Sequence, residues 1–116
     1  MKRRFRLTRS TDFKRVRRSG KSYAHPLVVL YVLKSDPEGV RVGVSAGLAV
    51  GNAVKRNRAK RLLRAAMSEL LPKTVPGSDL LLIARSPLPA SDVQKTRSAL
   101  SNVLERAGLL SQNHDA

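Results

Sequence analysis

The chain has 116 residues, no cysteine and a formal net charge of +15, which suits one domain with a sizeable core and excludes disulfides and cysteine metal ligands. Its longest apolar run, Leu27–Leu33, has seven residues where a membrane span needs about 20, and no signal-type apolar segment follows the basic start, so a soluble, cytoplasmic protein is expected. All of the excess charge lies in residues 1–21, net +9, and residues 55–64, net +6, which favours a polyanionic partner, nucleic acid rather than a membrane surface.

The basic start predicts an arm followed by a short helix. Residues 1–9 show no hydrophobic period and are expected to form a mobile basic arm. Ser10 or Thr11 can cap a helix that runs to about Arg18, and Gly20 is its predicted stop.

Three apolar segments predict strands. The run over residues 27–33, LVVLYVL, indicates a central strand, and an extra strand over residues 22–25 is compatible with the pattern before Pro26. The turn-forming segment 35–39 leads to a strand over residues 40–45, so these two strands are expected to pair in antiparallel fashion. Residues 79–85, DLLLIAR, indicate a further buried strand.

Two more helices complete the predicted elements. A glycine-containing link leads into a long helix over residues 53–71, which Pro72 ends. Ser91 is expected to begin the last helix, with Gln94 placed for a capping box and Gly108 as its stop. A frayed tail is expected over residues 111–116. The order of helices and strands predicts a single α+β domain, an α/β sandwich with helices packed on a sheet.

The long helix combines an apolar stripe with a basic face. At 100° per residue, one stripe contains Ala59, Leu62, Leu63, Ala66, Met67 and Leu70. The segment KRNRAKRLLR, residues 55–64, contains six basic residues and no acidic residue. These basic side chains lie outside the apolar stripe. Cations near a helix N-terminus oppose the helix dipole, so this placement is locally unfavourable and indicates a functional surface rather than a solvated one.

The segment GNAVKRNRAKRLLR, residues 51–64, resembles the signature of the bacterial ribonuclease P protein subunit. The likeness extends to RLTRSTDFKRV, LVVLYVL, RVGVS and DLLLIAR, which occur in the family's order. The resemblance implies a fold of order α-β-β-β-α-β-α, ribosomal protein S5 domain 2-like, with a left-handed βαβ crossover.

Members of that family assist a catalytic RNA that removes the 5′ leader from precursor tRNA. The resemblance therefore implies two partners, the ribonuclease P RNA and precursor tRNA, and a protein that is monomeric without RNA. It also implies a cleft between the first helix and the sheet that holds the single-stranded leader. On this basis the predicted RNA-binding residues are Phe13, Tyr31, Asn52, Arg56, Asn57, Arg58, Lys60, Arg61 and Arg64. Arg17 is added to them because its side chain can stack on a base or bind a phosphate.

The side chains agree with a binding role. All four aromatics, Phe5, Phe13, Tyr23 and Tyr31, lie in the first 31 residues beside the basic arm, and single-strand binders combine basic grooves with stacking rings. Core packing is the alternative for each ring. No pair of acids or histidines has the spacing of a catalytic or metal site, so no catalytic residue and no protein metal ligand is expected. By resemblance, Mg²⁺ would be held mainly by the RNA.

Two departures from the family pattern affect the cleft. Residues 45–49 read SAGLA where the family usually has two lysines, and Arg17 stands where a second aromatic is usual one turn after Phe13. Two other functions stay open from composition alone. One is a structural RNA-binding protein, ribosomal-protein-like and without a processing role, and the other is a duplex-DNA binder.

Overall fold

The computed structural model describes residues 3–111 and contains three α-helices and four strands. The helices are α1 (Ser10–Ser19), α2 (Ala53–Leu70) and α3 (Val93–Arg106), and the strands are β1 (Lys21–Ala24), β2 (Val28–Lys34), β3 (Val40–Ser45) and β4 (Ser78–Ala84). This confirms the predicted order α-β-β-β-α-β-α, including the extra strand before Pro26. Among the described helices, none is long and apolar enough to cross a membrane.

The sheet has the order β1-β2-β4-β3, which corrects the predicted pairing of β2 with β3. Strand β4 lies between them, antiparallel to β2 and parallel to β3, and α2 is the crossover from β3 to β4. The physical reason is burial, because six of the seven β4 residues are buried. A strand with apolar residues on both of its faces is most stable in the interior of a sheet.

The larger part of the core lies between the sheet and helices α2 and α3. All six residues of the predicted α2 stripe are buried there, which confirms the stripe. They pack against alternate residues of β4, Leu80 and Leu82, which are both 0% exposed. The leucines and alanines of this stripe therefore fix α2 against the sheet and determine which of its sides faces outward.

The opposite face of the sheet carries α1 and the N-terminal segment. Val16 of α1 and Leu81 of β4 are buried together with Leu7. The Leu7 N–H donates to the Val42 carbonyl over 2.8 Å, and Arg6 forms an isolated parallel bridge with the same residue. The prediction of a mobile arm over residues 1–9 is therefore wrong for residues 6 and 7, because Leu7 gains a buried apolar site beside β3.

The helix ends differ slightly from the prediction. Ser10 is the first residue of α1 and not its cap, since Arg9 precedes it without a side-chain capping bond. The cap of α3 is Asp92 rather than Ser91, and its carboxylate accepts from the Lys95 N–H at 2.8 Å. An aspartate is a strong N-cap and adds favourable charge at that end of the helix, which accounts for the one-residue shift.

The predicted C-terminal stops are confirmed, with Gly20 following α1 and Gly108 following α3. Gly108 has φ +73°, and the next N–H, from Leu109, returns to the Leu104 carbonyl at 2.8 Å, as in a Schellman motif. Of the predicted frayed tail, only Ser111 lies inside the described residues. Its N–H donates to the Lys73 carbonyl at 2.7 Å.

Candidate nucleic-acid interface

The outward side of α2 carries the cations predicted from the sequence. Asn52 caps the helix, and its side-chain Oδ1 accepts from the Lys55 N–H at 3.0 Å. Within residues 3–111, no carboxylate lies within ion-pair distance of any α2 cation. We call the following six residues the basic face of α2: the exposed Asn57, Arg58 and Arg61, and the half-buried Arg56, Lys60 and Arg64.

Arg58 differs from its neighbours because it also binds the protein. Its Nε donates to the Pro89 carbonyl at 2.6 Å and a terminal nitrogen donates to the Ser91 carbonyl at 3.0 Å. These bonds tie α2 to the segment that precedes α3. The residue nevertheless stays exposed.

Arg64 lies at the other end of the basic face, close to the N-terminal segment. Burial lowers the pKa of Arg64, and the positive charge of Arg6 lowers it further. Both arginines line a pocket of about 180 Å³ together with Thr8 and Phe13. Two positive charges beside one pocket repel each other, and a bound anion such as phosphate would relieve that repulsion. Sequence reasoning missed Arg6, because residues 1–9 were assigned to a mobile arm.

The two predicted aromatics lie on the α1 side of the sheet. The strand register places Tyr31 of β2 and Gly43 of β3 on either side of Leu81 in β4. The Phe13 ring lies directly over Gly43, where an added Cβ would sit 2.7 Å from ring carbon Cε1. Phe13 and Tyr31 are both half-buried, so each ring packs on the edge of the core and also keeps an accessible part.

Arg17 follows Phe13 by one helical turn and reaches the second aromatic. Its guanidinium carbon lies 6.0 Å from the centroid of the Tyr31 ring, at the limit of a cation–π contact. Alternation along the strands puts Val29, Ser45 and Ile83 on the same face, and all three are half-buried. We call this partly open surface the α1 cleft. Its members are Phe13, Arg17, Val29, Tyr31, Ser45 and Ile83.

The departure at residues 45–49 lies beside the start of α2. Leu48 begins a short 3₁₀ turn and is 82% exposed. A lysine at this position would add a charge next to the basic face of α2. In this chain the same place presents an exposed apolar side chain instead.

The acidic and histidine side chains are scattered in the described structure. In the part of the chain that the structure covers, no three His, Cys, Asp or Glu side chains converge on one point. His25 uses its Nδ1 to accept from the Leu27 N–H at 3.0 Å, and His114 lies outside the described residues. The two surfaces themselves present guanidinium groups, an amide group and aromatic rings.

Comparisons with known proteins identify the family and agree with the fold. A family model described as Ribonuclease P matches residues 1–108. The ribonuclease P protein component of an Exiguobacterium species is 40% identical over 107 residues, covering 92% of this chain and 93% of the relative. The component from Oceanobacillus iheyensis is 38% identical over 111 residues, covering 95% and 92%.

Solved structures show the same likeness. The RNase P protein of Staphylococcus aureus superposes with a TM-score of 0.79 and 28% identity, covering 92% of this chain and 98% of the other. The RNase P protein of Thermotoga maritima gives a TM-score of 0.77 with 28% identity, covering 87% and 96%.

Proposed function

This chain belongs to the ribonuclease P protein family, and we propose that it binds RNA through two surfaces, the basic face of α2 and the α1 cleft. The protein is a component of the ribonucleoprotein enzyme that processes tRNA. In our proposal, the basic face of α2 holds the RNA subunit, and the α1 cleft holds the single-stranded 5′ leader of precursor tRNA. Family membership also separates this chain from the structural ribosomal-type protein and the duplex-DNA binder considered from composition.

The observation that carries the proposal is that the α2 cations lack acidic partners among the described residues. The buried stripe fixes the helix against the sheet, so the outward side chains start from a rigid scaffold. No acid among the described residues pairs with them. Close cations repel one another, and phosphate groups relieve that repulsion while releasing counterions from the RNA.

The α1 cleft suits a single strand of RNA for a different reason. Phe13 and Tyr31 are both half-buried aromatics, and base stacking on aromatic rings contributes about 1–3 kcal/mol per base without reading its identity. Arg17 can stack on a base or bind a phosphate beside the Tyr31 ring. The pocket with Arg6 and Arg64 lies between this cleft and α2, so one RNA-binding surface can continue into the other.

We assign cleavage chemistry to the RNA subunit. The buried carboxylate of Asp79 is bound by two arginines, and among residues 3–111 no set of carboxylates and histidines fits a Mg²⁺ site. Since two-metal hydrolysis needs such ligands, the Mg²⁺ ions that this reaction requires are proposed to be held mainly by RNA. A cytoplasmic location and a monomeric state without RNA remain part of the proposal.

The direct test is reconstitution. The purified protein is mixed with ribonuclease P RNA and precursor tRNA at low Mg²⁺, and leader release is followed over time. We expect faster cleavage than with RNA alone, and equal rates would refute the proposal. Two variants that each remove one cation give a matched comparison. Arg61→Gln changes the basic face of α2, whereas Arg97→Gln changes an α3 arginine that pairs with Glu69 at 2.6 Å.

Salt dependence distinguishes the two variants further. The affinity for RNA should fall as salt rises, with a slope of about 0.7 in log–log form for each phosphate neutralised in a single strand. Arg61→Gln should reduce the slope and Arg97→Gln should not. Equal slopes for both variants would remove the basic face of α2 from the interface.

A further inference from the structure

One buried carboxylate connects α1 with two strands of the sheet. Asp79, at the start of β4, is 1% exposed. Its Oδ2 accepts from Arg15 of α1 at 2.7 Å and from Arg41 of β3 at 3.0 Å, and its Oδ1 accepts from the Arg41 Nε at 3.1 Å. Arg15 also reaches Asp12 at 3.3 Å. Both oxygens of Asp79 are thus occupied.

This ion cluster holds the side of α1 that faces away from the cleft residues. At 100° per residue, Arg15 lies about 200° around the helix from both Phe13 and Arg17, which are themselves only about 40° apart. The neighbouring Val16 is fully buried against the sheet beside Leu81. The helix therefore rests on Val16, and the Arg15–Asp79 bond limits its rotation about that contact.

Stability alone does not account for a charge at this position. A buried ion cluster often contributes less to stability than apolar side chains of similar volume, because desolvation of the charges is costly. The five residues of β4 that follow Asp79 are all apolar and nearly all buried, so a leucine at position 79 would continue their pattern. What the ion cluster adds is directional, since hydrogen bonds fix an orientation and apolar contacts alone do not.

We propose that Asp79 is a positioning residue for leader binding. Through Arg15 it sets the rotation of α1 on the sheet, and this keeps Phe13 over Gly43 and Arg17 beside Tyr31. Arg41 neutralises the carboxylate from the β3 side without contacting α1. The inference rests on the proposed function, because it concerns how the α1 cleft is held in shape for the leader.

The test compares leader-dependent affinity in reconstituted holoenzymes. Two precursor tRNAs are used, one with a long leader and one with a single-nucleotide leader. We expect Asp79→Asn to weaken binding of the long-leader substrate roughly tenfold, the loss that corresponds to one base stack. Binding of the single-nucleotide substrate should stay within about twofold, because it does not depend on the cleft. Equal losses for both substrates would overturn the inference.

Two charge-matched variants test the route through α1, and they decide the question even if Asp79→Asn does not fold. Arg15→Gln breaks the bond to α1 and should reproduce the selective loss of long-leader affinity. Arg41→Gln removes the same charge but leaves the Arg15–Asp79 bond, so it should keep leader affinity. Equal leader effects from the two variants would overturn the inference. Wild-type protein that shows no leader preference would overturn the proposed function itself, which is a separate result.

Hydrogen exchange gives a readout that does not depend on activity. With Arg15→Gln, the amides of α1 should exchange faster while those of α3 keep their wild-type rates. With Arg41→Gln, both helices should keep wild-type protection. Faster exchange throughout the protein in Arg15→Gln would mean a general loss of stability and would count against a positioning role.

Discussion

Replacing Gly43 by alanine tests whether Phe13 is seated on β3 as the structure shows. The new methyl group would lie 2.7 Å from Cε1 and 2.8 Å from Cζ of the Phe13 ring, and 3.3 Å from Cβ of Leu7. Ordinary carbon contacts begin at about 3.4 Å, so the ring must retreat by roughly 0.7 Å. Leu7 is itself buried, so it has little room to move away from the new methyl group. We therefore expect the Phe13 ring to leave its position in the α1 cleft.

The expected effects on stability and on binding differ in size. Overpacking costs about 1–3 kcal/mol, whereas replacing a strand glycine by alanine gains roughly 0.5–1 kcal/mol. The free energy of unfolding should thus fall by roughly 0–2.5 kcal/mol. Affinity for leader-bearing precursor tRNA should fall by up to the value of one base stack, about 1–3 kcal/mol. Urea denaturation measures the first effect, and titration of the holoenzyme with labelled precursor measures the second.

A second glycine supplies the control. At Gly39 the atom nearest to an added Cβ would be the Asp36 Cβ at 3.6 Å, which is ordinary contact. Gly39→Ala should therefore leave both stability and leader affinity close to the wild-type values. Wild-type leader affinity in Gly43→Ala would show that Phe13 does not bind the leader from its seat on β3.

Three further predictions follow from burial and hydrogen bonding. Arg58→Ala loses two hydrogen bonds to backbone carbonyls and should lower the free energy of unfolding by about 1 kcal/mol. Arg61→Ala should instead weaken RNA binding at unchanged stability. Equal melting temperatures for the two variants would contradict the hydrogen bonds of Arg58. Leu63→Ala removes a fully buried side chain and should cost about 2–5 kcal/mol in urea denaturation, while Leu48→Ala, at an exposed site, should cost almost nothing. Burial raises the pKa of Asp79, but hydrogen bonds from two arginines outweigh this and hold the pKa below its ordinary value. The resulting stabilisation is complete above about pH 4 and is lost as the pH falls through the lowered pKa. Stability curves of Asp79→Asn should therefore be flatter than wild type on the acid side, and parallel curves would refute the ion cluster.

Local periodicity predicted the long helix almost completely. The stripe from Ala59 to Leu70 repeats at helical spacing, and each of its members is buried as expected. The basic segment could be placed on the outward side for the same reason, since the stripe fixes how α2 is rotated. The spacing of apolar and basic residues lies within one helix, so a single sequence is enough to predict which side of that helix is buried.

Features that join distant parts of the chain could not be predicted in this way. The position of β4 between β2 and β3 depends on which strand buries most surface, and the turn at residues 35–39 indicates only a reversal of direction. The contacts among residues 15, 41 and 79 depend on the same topology. Two weak signals were present. Asp79 is a lone acid at the front of an apolar strand, and Gly43 interrupts a β-branched one, which often marks a close approach.

The position of β4 has a consequence for biosynthesis. This interior strand, which joins β3 to the pair formed by β1 and β2, is the last of the four to be translated. A nascent chain that ends at residue 77 already contains β2 and β3, the two neighbours of β4. No strand joins these two by hydrogen bonds until β4 has been synthesised. The surface that carries Phe13 and Tyr31 is thus assembled late, from segments far apart in sequence, which is the kind of contact that slows folding. Until then, most of the protein's positive charge is attached to an incomplete sheet.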